Sequence, residues 1–174
     1  MIEYDMMNRP NWVFDEAVSN IFDSHIRASV PFYDEIHRMS AELSDWFIHD
    51  NSTVYDLGTS TGQAVLNLQN RHANRNLHFI AVDSSIPMIN KAKERCKDVP
   101  NVRFVNDKIE NMELEKADLV LALFTLQFID LDNRKGVVAK IRNCLRDGGA
   151  LILVEKIMSE DPRIGVIFTE LHEE

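Results

Sequence analysis

Between Phe14 and Phe47, apolar residues recur every three or four positions. In "FDEAVSNIFDSHIRASV", Phe14, Val18, Ile21, Phe22 and Ile26 share a helical face, and Asp15 stands where a helix cap belongs. Pro31 breaks that pattern. A second stretch, "FYDEIHRMSAELSDWFIHD", puts Ile36, Met39, Leu43, Trp46 and Phe47 on one face and predicts an amphipathic helix. From Thr53 the rhythm changes. Five short apolar runs follow, "TVYDL", "LHFIAVD", "VRFVND", "ADLVLALF" and "GALILVEK", and helical segments alternate with them. One helix follows Gly62. A second runs from about Pro87 to Lys97, with Ser84 or Ser85 as cap and Pro87 in its first turn. A third runs from about Asn133 to Leu145, with Gly148 and Gly149 to stop it. Strands apolar on both faces and separated by helices predict a five-stranded parallel sheet covered on both sides. The expected organisation is one globular domain: a helical cover segment over 1–52 and an α/β unit over 53–174. After Lys156, "IMSEDPRIGVIFTELHEE" begins another helical pattern and stops. Such a sheet usually continues, so the expectation is a fold lacking its last strands or an unusually minimal one.

Composition narrows the function. The 174 residues suffice for one core, and 45% hydrophobic with 27% charged residues is ordinary for a soluble protein. No apolar run approaches the roughly 20 residues needed to span a bilayer, so no membrane association is expected. The opening "MIEYDMMNRPNW" is too acidic and polar for a secretory signal. Cys96 and Cys144 lie far apart and outside metal-ligand spacing, which reads as free buried thiols in a cytoplasmic protein. The six histidines show no ligand spacing, so no metal site is assigned. A net charge of −9 argues against direct nucleic-acid binding. Lys91, Lys93, Arg95 and Lys97 read as a solvated helix face.

The chemistry centres on "VYDLGTSTGQA" (Val54–Ala64). A phosphate-gripping P-loop needs a Gly-Lys-Ser/Thr ending, but Gly62 is followed by Gln63 and Ala64. A dinucleotide loop needs G-x-G-x-x-G, but Ser60 fills the middle glycine position and the spacing differs. A nucleoside carrying an amino-acid tail demands less glycine, and the run Asp56, Gly58, Thr59, Ser60, Gly62 suits it. Gly58 allows a sharp turn and close ligand approach, and Gly62 lets the next helix begin nearby. Asp83 ends the second strand, 25 residues after Gly58, where a carboxylate can accept from ribose hydroxyls. Ser84 follows it. Asp107 ends the third strand, placed for an exocyclic amine, with the amide of Lys108 facing a ring nitrogen. Three acids at three successive strand ends say more than the loop alone.

These residues resemble the class I S-adenosyl-L-methionine (SAM) methyltransferase superfamily. "VYDLGTSTG" matches its glycine motif, Asp83 its ribose acid and Asp107 its adenine acid. The resemblance implies a Rossmann-like parallel sheet and SAM, S-adenosylhomocysteine or carboxy-SAM as ligand. A narrower resemblance runs from about Phe14 to the end. "FDE", "RASVPFY", "YDLGTSTG", "AVDSSIPMI", "FTLQFI", "GGALILVEK" and "EDPRIGVIFTELHEE" look like the carboxy-SAM synthase family, which converts SAM and prephenate into carboxy-SAM for wobble-uridine modification in tRNA. That family implies a role for Tyr33 in holding the added carboxylate, and a dimer or larger assembly. Two departures stand out. Leu123 occupies a position where the family carries asparagine near the sulfonium. An arginine from the family's C-terminal part, which grips the carboxylate, has no counterpart before Glu174.

Methyl transfer from a sulfonium needs positioning more than a general base, so no catalytic residue is assigned. The readings carried forward are a SAM-dependent enzyme acting on a small molecule or tRNA-modification precursor, a carboxy-SAM synthase, and an inactive SAM-binding or partner-dependent module. For substrate, Arg27 offers an anion partner, or pairs with Asp34 or Glu35 instead. Thr125 and Gln127 are expected to face the pocket, with Phe124, Leu126 and Phe128 in the core. Glu155 is read as touching substrate or pairing with Lys156 or Arg163. His25 and His37 read as helix surface or core edge.

Overall fold

A computed structural model describes residues 14–157, 159, 161–164 and 166–167. Its five strands are β1 (Thr53–Leu57), β2 (His78–Asp83), β3 (Val102–Asn106), β4 (Ala117–Leu123) and β5 (Leu145–Val154). All neighbours pair in parallel, in the order β3-β2-β1-β4-β5. The apolar runs therefore mark all five strands. β1 and β4 lie inside the sheet, and their residues are buried along almost their whole length. Side chains alternate between two cores, as the period of two along a strand dictates. Val54, Phe79, Leu119 and Leu121 pack with Val65 and Leu68 of α3 (Gln63–Arg71). Tyr55, Ile80, Val82 and Val120 pack with Val137 and Ile141 of α5 (Leu131–Cys144).

Local chemistry sets the helix starts. Asp15 accepts from the amide of Val18 at 2.9 Å and begins α1 (Glu16–Ser29). Ser85, with Pro87 just after it, caps α4 (Ile86–Arg95) by accepting from Met88 at 3.3 Å. The third predicted helix differs at its end. α5 finishes at Cys144 and Leu145 is already extended, so Gly148 and Gly149 lie inside β5 and stop nothing. Gly148 takes φ +82°, close to the irregular pairing between Ala117 and Leu119. The helix ends because β4 captures Leu145 opposite Ala117.

α2 (Tyr33–Leu43) departs further from expectation. Much of its predicted apolar face points to solvent: Met39, Leu43 and, just past the helix, Trp46 are 52%, 47% and 78% exposed, while Ile36 and Phe47 are half-buried, Phe47 against the core. The inward face carries Tyr33, His37, Ser40, Ala41 and, just past the helix, Ser44. Those hydroxyls are already satisfied. Ser40 donates to the Ile36 carbonyl at 2.8 Å, and Ser44 donates to that of Ala41 at 2.6 Å while facing His72 Nε2 at 2.7 Å. Small, internally bonded side chains let α2 approach α3 closely without leaving those hydroxyls unpaired.

Candidate cofactor site at the strand ends

Strand order reverses between β1 and β4, and the crevice beyond that reversal is where open α/β sheets bind ligands. The glycine loop sits there. The amides of Gly58 and Thr59 both donate to the Val82 carbonyl, at 2.9 and 2.8 Å, which ties the loop to the end of β2. Gly58, Ser60 and Gly62 take φ of +77°, +50° and +80°. At Ser60 this left-handed geometry aims the amide at Asp83, whose Oδ2 accepts it at 2.9 Å. Asp83 Oδ1 accepts from Ser85 at 2.9 Å. Burial raises the pKa of Asp83 above the usual carboxylate value, and the two N–H bonds oppose that rise. Each oxygen keeps a lone pair, so the carboxylate can still accept a vicinal diol.

Gly58 turns the chain sharply and Gly62 caps α3, as expected, and both glycines also make room within the protein. The place a Cβ would occupy at Gly58 lies 2.4 Å from Thr125 Oγ1, and at Gly62 3.0 Å from Cys96 Sγ. Protein, not ligand, takes up both spaces. Thr125 is correspondingly turned inward rather than toward a pocket. Its hydroxyl donates to the Leu57 carbonyl at 2.6 Å, with the Leu123 carbonyl at 3.2 Å. It buttresses the loop from the β4 side.

Asp56 is buried within β1. Burial pushes its pKa up to about 6, and Thr59 Oγ1 donates to it at 2.6 Å. It shapes the loop from beneath. Asp107, beyond edge strand β3, is exposed, and its Oδ1 accepts the amide of Lys108 at 2.7 Å. The amide expected to meet a ring nitrogen is thus engaged by its own neighbour. Ser84 and Lys108 are exposed, and Leu123 and Gln127 are half-buried. Tyr33 is buried edge-on to His37, ring centroids 4.6 Å apart, and burial lifts its pKa to about 12. The Asp23 and Asp56 charges push in the same direction. Arg27 pairs with Asp34 at 2.9 Å on the surface, its guanidinium 6.0 Å from the Tyr33 ring centroid.

Two roles have no local signal in the sequence. Glu155 accepts the amides of Leu126 and Gln127 at 2.6 and 3.2 Å, fixing the turn after β4, rather than pairing with Lys156 or Arg163. Phe128 is 55% exposed rather than core, and stacks edge-on with Phe14 at 5.3 Å. Phe14 also accepts, through its carbonyl, from Ser85 Oγ at 2.5 Å. The start of the described chain therefore touches residues just past both β2 and β4. Among the described residues, no group of three or more His, Cys, Asp or Glu is placed to hold a metal ion. Nor is any described helix long and apolar enough to cross a membrane.

The family model described as a methyltransferase domain matches residues 54–149. Carboxy-SAM synthase of Salmonella paratyphi C is 36% identical over 165 residues, covering 93% of this chain and 67% of the relative. That of Staphylococcus epidermidis is 34% identical over 150 residues, covering 86% and 65%. The chain belongs to the carboxy-SAM synthase family of the class I SAM methyltransferase superfamily. It spans about two-thirds of the length of these relatives. Among solved structures, SAM-bound CalS10, an amino pentose methyltransferase of Micromonospora echinaspora, superposes with TM-score 0.65 at 20% identity, over 88% of this chain and 61% of that one. A SAM-dependent methyltransferase of Clostridium acetobutylicum gives 0.60 at 24%, over 78% and 55%. The fold is thus the Rossmann-like one of SAM-dependent transferases, and the cofactor is SAM. The residues present fit it: the doubly braced Asp83 suits the ribose diol of a nucleoside, and the loop beside it lacks the lysine and glycine order that phosphates require.

Proposed function

We propose that this chain holds SAM between the glycine loop and Asp83 and converts it to carboxy-SAM, with prephenate supplying the carboxyl group. The observation that carries the reading is Asp83, braced at the end of β2 by Ser60 and Ser85 in a chain whose likeness to carboxy-SAM synthases covers 93% of its length. Asp83 would hold the ribose and Asp107 the adenine. Tyr33, buried at the start of α2, would meet the added carboxylate. Incubation with SAM and prephenate, followed by mass spectrometry, tests it. A product heavier than SAM by one CO₂ is expected, and SAM recovered unchanged from a protein that binds it would overturn the carboxylation step.

Leu123 favours a second reading. An apolar side chain at the end of β4 offers no hydrogen bond to an added carboxylate, and suits methyl transfer to a small molecule or simple retention of SAM. Release of S-adenosylhomocysteine in the presence of candidate acceptors separates those two. We place the activity in the cytoplasm, feeding tRNA modification through a small molecule rather than through RNA contact, as a net charge of −9 favours. We propose a homodimer, which sedimentation showing only monomer would refute.

A further inference from the structure

The described residues of α1 bury little. Ser19 is its only buried residue, and Ile21 is 58% exposed. Hydrophobic burial therefore does little to hold this helix down, and polar fasteners must do more. Beyond the bond from Ser85 to the Phe14 carbonyl before the helix and the Arg27–Asp34 pair near its end, they are concentrated in one place. Thr61 Oγ1 donates to Asp23 Oδ1 of α1 at 2.7 Å. Arg95, from the last turn of α4, donates through Nη1 to Thr61 Oγ1 at 2.6 Å and pairs through Nη2 with Asp23 Oδ2. Burial resists ionisation of Asp23, but the bonds from Arg95 and Thr61 outweigh it and hold its pKa below the usual carboxylate value. Thr61 belongs to the glycine loop and directly follows Ser60, whose amide braces Asp83. One hydroxyl thus joins the overlying helix, the helix beneath and the loop. At the far end of α1, Phe32 takes φ +59° next to Pro31, a natural pivot.

We propose that Asp23, Thr61 and Arg95 form a clasp that locks α1 over the glycine loop and sets how long a ligand stays beneath it. The inference rests on the loop being the SAM site. The three are positioning residues. Releasing the clasp frees α1 to lift from the strand ends while leaving the sheet intact. The Asp23 and Arg95 side chains are 32% and 24% exposed and line a cavity of about 310 Å³ between α1 and α4, so salt reaches the pair.

The test uses the full chain, wild type against Thr61→Val, Thr61→Ser and Arg95→Gln. Amide hydrogen exchange without ligand should quicken about tenfold in α1 for Thr61→Val and Arg95→Gln, with β1 and β4 unchanged. Release of S-adenosylhomocysteine, followed by stopped flow, should quicken by about the same factor, while association changes by no more than about twofold. Thr61→Ser, which keeps the hydroxyl, should behave as wild type. Added salt should hasten release from wild type more than from Arg95→Gln. Unchanged α1 exchange in Thr61→Val and Arg95→Gln overturns the clasp, as does Thr61→Ser failing alongside Thr61→Val. A wild type that binds no S-adenosylhomocysteine refutes the SAM reading instead, and the exchange data then judge the clasp alone.

Discussion

Asp83 and Asp107 end neighbouring strands, and the sequence treats them alike. The structure does not. Asp83 closes β2, an inner strand, where the loop from β1 and the cap of α4 each deliver an amide to its carboxylate. Asp107 lies past β3, an edge strand, exposed and bonded to the next residue's amide. The same contrast separates two glycines. Gly58 follows inner strand β1 with φ +77° and Thr125 packed where a side chain would go. Gly148 lies in edge strand β5 with φ +82°, and among the described residues nothing comes within 4 Å of where its Cβ would sit. Position in the sheet, rather than residue type or backbone angle, decides how much each residue can matter.

The sharpest test is ligand affinity. Asp83→Ala should weaken S-adenosylhomocysteine binding by about 100-fold, because it removes charge-assisted bonds at an enclosed site. Asp107→Ala should cost about tenfold or less, and equal losses by calorimetry would erase the distinction. Next comes stability. Gly58→Ala combines a strained φ with a clash against Thr125 and should cost about 3 kcal/mol in denaturant unfolding. Gly148→Ala carries the φ strain alone and should cost about 1 kcal/mol. A third test concerns Asp56. Its folded pKa, about 6, lies above the unfolded value near 3.8. The stability this provides is complete below the unfolded pKa and is lost as pH rises through 6. Asp56→Asn should therefore gain on wild type between about pH 4 and 6, by on the order of 3 kcal/mol. A difference that stays flat with pH would mean that Asp56 is not enclosed as described.

Much of this arrangement is legible in the chain because it is local. "TVYDL" forms a strand wherever both its faces are covered, and the loop's glycines and the caps at Asp15 and Ser85 act within a few residues. What escapes is long-range. Arg95 reads as part of a solvated basic face, yet its partner Asp23 lies 72 positions away on another helix. Glu155 reads as a surface or substrate acid, yet it fixes a turn 28 and 29 positions earlier. The outward face of α2 escapes for another reason. Periodicity shows that a helix has an apolar stripe. It does not show that Ser40 and Ser44 satisfy themselves and so suit the inward side. Within the candidate site, the placing of Asp83 at a strand end follows from the short apolar run before it. Thr125 reads as pocket-facing because nothing near it in sequence reveals the contact with Gly58.

That contact has a bearing on how the protein comes into being. Thr125 reaches the Leu57 carbonyl across 68 positions. During synthesis the glycine loop leaves the ribosome well before the residue that props it, and β4 must slot in beside β1 before the prop arrives. The glycine loop consequently gains this prop only once the chain has been made through β4, although it is encoded at about the first third of the chain. A nascent chain halted before β4 would carry the whole signature motif and still lack its working shape.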